Sequence, residues 1–181
     1  MPRDVPLGTI MRVKPRGVLE RPECAKLMGA IVAEWSLLEA SLAATYCELA
    51  YGPDPQGLNS TGHWIAMQTF EIVQTARQKR SILIGAAEKR GLDAQVLSEL
   101  KALLKRFQNL AQKRVDSAHG RWMISDAYPN GLILFRNAGK MDEAQIYDVK
   151  DFQQTLDDIT RLGSEMETFH HTIIRPRLER R

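Results

Sequence analysis

Two thirds of the way along the chain stands Lys113-Arg114-Val115-Asp116-Ser117-Ala118-His119-Gly120-Arg121-Trp122. Arg114 and His119 are the residues in this run that could do chemistry without a metal. Imidazole titrates near neutral pH and so serves as proton acceptor or donor. Guanidinium is a permanent planar cation that can take two phosphate oxygens at once. RNA supplies its own nucleophile, the 2′-hydroxyl beside each phosphate. Cutting it therefore needs a proton acceptor, a proton donor and a cation beside the phosphorane. Around the pair, Lys113 and Arg121 could bind neighbouring phosphates, and Trp122 could offer an exposed face for a base to stack on. The bland alternative is a histidine that caps a helix end and an arginine paired with a nearby acid.

Other reactive groups form weaker patterns. His170 and His171 adjoin, and adjacent helical residues point ~100° apart, which is unsuited to one metal. His63 has no ligand-spaced neighbour. Glu34 and Glu39 could do acid–base work, although a solvated helix face is the simpler reading. No Gly-rich phosphate loop, nucleophile elbow or kinase signature is present, and no metal or cofactor is expected. Arg77, Lys79, Arg80, Lys101, Lys105, Arg106 and Lys113 could line a phosphate track. The net charge of +3 hides this pattern: residues 77–121 carry +7, while residues 23–76 and 122–171 each carry −5. Either the basic segment faces an anionic partner, or a basic helix packs beside acidic ones.

The elements that must position these residues are mainly helical. Apolar residues recur every three or four positions along about Arg21–Ala50, Thr61–Arg90, Asp93–Ala118 and Lys150–Ile174. Pro22, Ser60 or Thr61, and Asp93 suit helix starts, and Gly52-Pro53, Gly91 and Gly120 suit the stops. Between the last two helices, Arg121–Ser125 and Leu132–Phe135 flank the turn signal Pro129-Asn130-Gly131, and Gln145–Asp148 could add a third short strand. The spacing predicts an all-α fold: an up-and-down bundle of about four long helices, with a small hairpin over about 121–136 before the last one. Trp35 and Trp64 fall on apolar stripes and are expected in the core. On a continuous helix, Arg114 and His119 point ~140° apart. A working pair needs the helix to unwind before His119, or a second chain to complete the site.

The Arg-x4-His pair with Ala118-His119-Gly120, on the third of the long helices and ahead of a short non-helical insert and a final helix, resembles the HEPN (higher eukaryote and prokaryote nucleotide-binding) superfamily. The resemblance covers about Pro22 to Ile174. It implies a metal-independent endoribonuclease, often the toxin of a toxin–antitoxin or other defence system, with Arg114 and His119 at the scissile phosphate. It also implies a homodimer that brings two motifs together, RNA as substrate and an antitoxin protein as partner. Val115 stands where that family's pattern usually carries a polar residue. The alternative is therefore a catalytically inactive bundle of the same kind, serving as a protein- or nucleotide-binding dimerisation module.

The 181 residues, 44% hydrophobic and 26% charged, are the composition of one globular domain. We expect basic tails over residues 1–19 and 176–181 around one domain at 20–175. Two cysteines, 23 positions apart on one predicted helix, cannot pair with each other, which suits a reducing, cytoplasmic setting. No secretory leader and no uninterrupted apolar run of membrane-spanning length are apparent, so no membrane is expected.

Overall fold

The computed structural model describes residues 2–6, 8–12, 17–53, 60–136 and 143–179. The fold is mostly helical, with α1 at Pro22–Tyr51, α2 at Thr61–Ile72, α3 at Ala76–Lys89, α4 at Ala94–His119, α5 at Val149–Phe169 and the short α6 at Arg175–Glu179. Four short strands accompany the helices: β1 (Arg3–Asp4), β2 (Arg121–Met123), β3 (Gly131–Phe135) and β4 (Gln145–Asp148). They form one antiparallel sheet in the order β1-β4-β3-β2.

Capping chemistry sets most helix ends. Ser60 accepts from the His63 amide and Asp93 from the Val96 amide, each satisfying an amide left over at a helix start. At α5, Asp148 Oδ1 accepts from the Lys150 and Asp151 amides, and Asp151 Oδ2 accepts from the Asp148 amide. Gly52 and Gly91 end α1 and α3 with φ of 92° and 66°, where glycine is free of the Cβ penalty.

Several expectations need correcting. The predicted helix over Thr61–Arg90 is two helices, broken at residues 73–75. Thr75 caps the second by accepting from the Gln78 amide, and its hydroxyl donates to Gln78 Oε1. The small hairpin is part of a four-stranded sheet. Residues assigned to an N-terminal tail belong to that sheet: β1 pairs with β4, Arg12 bridges Ile124, and Val5 and Met11 pack on buried Ile133, Ala144 and Ile146. Trp64 is 60% exposed rather than core, because the buried face of α2 is His63, Ala66 and Phe70 and Trp64 points at least ~100° from each of them on a regular helix.

The last helix does not stop near Ile174. Residues 170–174 form a π-turn, and the Arg175 amide donates to the His170 carbonyl before α6 begins. Pro176 supplies the cause: it has no N–H to give to residue 172, and its ring crowds that carbonyl. Residues 176–179 thus belong to α6 rather than to a tail.

The chain divides into two compact units. The first, Met1–Trp35 with Gln112–Ile159, holds the sheet, with Leu132, Ile133, Phe152 and Ile159 buried. The second, Ser36–Ala111 with Thr160–Arg181, is helical around Leu42, Phe70, Leu83, Leu104 and Phe107. Within it, buried His170 lies 2.9 Å from Thr45 Oγ1 and 3.3 Å from Glu48 Oε2. By geometric criteria Glu48 Oε2 makes no aligned hydrogen bond among the described residues. Helix α1 is long and apolar enough to cross a membrane by length and composition, with an 18-residue window of mean hydropathy 1.4. Its apolar stripe is buried, and Glu39 in its middle pairs with buried Lys79 at 2.6 Å. Core helices are built this way.

Candidate functional site

Helix α4 continues through His119 without unwinding. On a regular helix Arg114 therefore lies within ~40° of Phe107 and Leu110, and ~140° from His119. Phe107 and Leu110 are buried. Arg114 accordingly turns toward the interior, half-buried, with its Nε enclosed and without a hydrogen-bond partner among the described residues. His119 lies on the solvent side, in line with exposed Gln112 and Val115. The two residues that sequence spacing paired do not meet within one chain.

A different group gathers at the end of α4. Val115, Asp116, His119, Gly120, Arg121, Phe135 and Arg136 line a cleft of about 220 Å³. Helix α4 supplies His119, β2 supplies Arg121, and Arg136 follows β3. The cleft is built around Asp116, which is only 5% exposed. Its Oδ2 accepts from Arg136 Nη2 at 2.7 Å, and its Oδ1 accepts from Gln112 at 2.9 Å. Its backbone carbonyl accepts from the Gly120 amide at 2.8 Å and from Trp122 Nε1 at 3.1 Å. Arg136 Nη2 also reaches the Tyr147 hydroxyl at 3.3 Å. The hydrogen bond from Arg136 to Asp116 holds the Arg136 guanidinium above its usual range, against the pull of partial burial.

Gly120 is needed for this closure. A Cβ there would sit 2.3 Å from the Asp116 carbonyl oxygen, 2.7 Å from Leu134 Cδ1 and 3.0 Å from Trp122 Nε1. The sequence marked Gly120 as a helix stop. Its observed role is to let the chain turn against its own helix end.

The remaining candidates fare unevenly. Arg121 is exposed on the cleft rim, and neither its side chain nor that of His119 has a hydrogen-bond or ion-pair partner among the described residues. Lys113 is exposed off the cleft, 3.7 Å from Asp158. Trp122 is no stacking platform. Its ring packs edge-on to Tyr147 and against Phe152, at 5.3 Å from each. Arg136 was missed, and nothing in its local sequence marks it, because its acid partner lies 20 positions earlier.

The basic stretch also resolves into pairs. Lys79 meets Glu39, Lys101 meets Glu88 at 2.9 Å, Arg106 meets Glu165, and Lys113 meets Asp158. Four of the seven candidate cations are thus paired with acids, most of them on neighbouring helices. Larger hollows exist, including one of about 690 Å³ beside Tyr46, Tyr51 and Lys89 and one of about 540 Å³ beside Arg21 and Cys24. Neither carries an exposed imidazole. Among the described residues, no three His, Cys, Asp or Glu side chains cluster as metal ligands do. No family model matches the chain, and no curated protein or solved structure matches it either.

Proposed function

We propose that the chain is a metal-independent RNA-cleaving protein, HEPN-like in plan, that works as a homodimer through the cleft at the end of α4. The observation that carries this reading is the placement of His119 and Arg121, both exposed and with side chains unpartnered among the described residues, on the rim of one small cleft. His119 handles protons, and Arg121 draws the phosphate in. The up-and-down arrangement of the helices belongs to the same proposal, as does a cytoplasmic toxin restrained by an antitoxin protein.

The reaction balances without an added co-reactant. One neutral imidazole takes the proton of the 2′-hydroxyl as that oxygen bonds to phosphorus. The bond from phosphorus to the 5′-oxygen breaks, and that oxygen needs a proton. A single His119 cannot accept one proton and donate another in the same step. The His119 of a second copy, carrying a proton, serves as the donor. The products are a 2′,3′-cyclic phosphate and a 5′-hydroxyl. Val115, 42% exposed beside the cleft, offers an apolar contact for that second copy. The test is cleavage of RNA in EDTA by the wild type, His119→Ala, Arg121→Ala and Arg114→Ala. Activity lost with His119→Ala, in a variant that still folds, supports the reading. A wild type inactive on every RNA tried, at any salt, sinks it.

A second reading rests on its own observation. The divergence of Arg114 from His119 on an unbroken helix suits an inactive module that binds protein or nucleotide and dimerises. Under that reading the wild type sediments as a dimer, cleaves nothing, and is unchanged by His119→Ala.

A further inference from the structure

Taking RNA binding at this cleft as given, we infer that Arg136, held in place by Asp116, is the cation that grips the phosphodiester there, the role that sequence spacing gives to Arg114. An arginine offers five N–H donors in a rigid fork. In Arg136 the inner edge is committed: Nη2 donates to Asp116 Oδ2 and lies 3.3 Å from the Tyr147 hydroxyl, while Nε lies 3.5 Å from Asp116 Oδ1. Nη1 makes no hydrogen bond among the described residues, and the side chain is 39% exposed where it lines the cleft. A cation fixed on one edge and open on the other has already lost much of its rotamer freedom, so less is lost when a ligand binds.

The local charge fits a single diester. Asp116 offsets one of the two guanidinium groups of Arg121 and Arg136, and with His119 neutral the cleft keeps one net positive charge. One RNA phosphodiester carries one negative charge. The cleft's 220 Å³ admits such a group with part of its ribose, but not a run of nucleotides. Arg114 contributes no donor to this cleft.

The test uses the full chain and a short single-stranded oligoribonucleotide, with binding followed by fluorescence anisotropy over a range of salt. Arg136→Gln is expected to weaken binding about tenfold and to lower the slope of log affinity against log salt by about one. Arg136→Lys keeps the charge and the Asp116 pair but lacks the fork. Its slope is expected to match the wild type while affinity falls several-fold. Arg114→Gln is expected to leave the slope unchanged. A role confined to clamping β3 to α4 would shift the melting temperature of these variants and leave the slope alone. If Arg121→Gln lowers the slope while both Arg136 variants bind like the wild type, the inference is overturned and RNA binding at the cleft stands. If Arg136→Gln fails to fold, the affinity of Arg136→Lys decides: several-fold weaker binding with an unchanged melting temperature supports the inference, and binding like the wild type overturns it. A wild type with no salt-dependent RNA binding overturns both. Inorganic phosphate that competes as well as unlabelled RNA, mole for mole, overturns the diester assignment.

Discussion

Replacing Gly120 with alanine should damage the protein far more than its one added carbon suggests. The new Cβ would lie 2.3 Å from the Asp116 carbonyl oxygen, and that oxygen cannot easily retreat. It accepts from the Gly120 amide at 2.8 Å and from Trp122 Nε1 at 3.1 Å. Relief of the clash breaks at least one of these bonds, at roughly 1 kcal/mol each. Leu134 Cδ1, at 2.7 Å from the added carbon, must also move, and overpacking of this kind costs about 1–3 kcal/mol. The sum is about 3 kcal/mol, or a fall of roughly 6–12 °C in melting temperature for a chain of this size. Gly163 is the internal control. It lies inside α5, and a Cβ built there meets nothing within 4 Å. Gly163→Ala should therefore gain about 0.5–1 kcal/mol from helix propensity. Thermal unfolding followed by circular dichroism measures both. A Gly120→Ala protein that melts within about 2 °C of the wild type, less than 1 kcal/mol of change, would refute the closure described for the end of α4.

Two further outcomes follow from groups away from the cleft. Burial pushes the Cys47 thiol up to about 11 and raises the Cys24 thiol as well. Both thiols should resist a maleimide or disulfide reagent at neutral pH in the folded protein and react once it is unfolded; rapid labelling of the native chain would contradict their placement. Burial alone raises the Glu48 carboxyl, but the His170 ring and Arg175 outweigh it and hold the carboxyl below its ordinary 4.5. A lowered carboxyl contributes stability that is complete above pH 4.5 and is lost as pH falls through the lower folded value. The urea midpoint should thus drop on acidification below pH 4.5, and less steeply in Glu48→Gln; equal slopes for the two proteins would remove Glu48 from the account.

What the sequence made legible was mostly local. The start of α1 at Pro22, the caps at Ser60 and Asp93, the stop at Gly52 and the turn at residues 129–131 are each written in a few adjacent residues. The break before α3 was also written, since Thr75 and Gln78 have the spacing of a capping box, but an apolar stripe read across it hides the signal. The strand at Arg3–Asp4 was not legible, because two residues carry no period and the pairing is with residues 145 and 146. The cleft was half legible. His119 and Arg121 could be picked out by type and position, but Arg136 and Asp116 meet only through the fold. Of the two routes by which Arg114 and His119 could act together, unwinding of the helix before His119 is not observed, which leaves completion of the site by a second chain. The two readings of the basic segment could not be separated in the sequence, because charge counted along a chain does not show which acid each lysine or arginine will find.

The most direct measurement of the central claim is the chemistry of the RNA ends left after treatment in EDTA, for the wild type beside His119→Ala. The wild type is expected to leave 2′,3′-cyclic phosphate and 5′-hydroxyl ends, and the variant none above background. Ends bearing 3′-hydroxyl and 5′-phosphate, or cyclic phosphate ends formed equally well without His119, would contradict the claim.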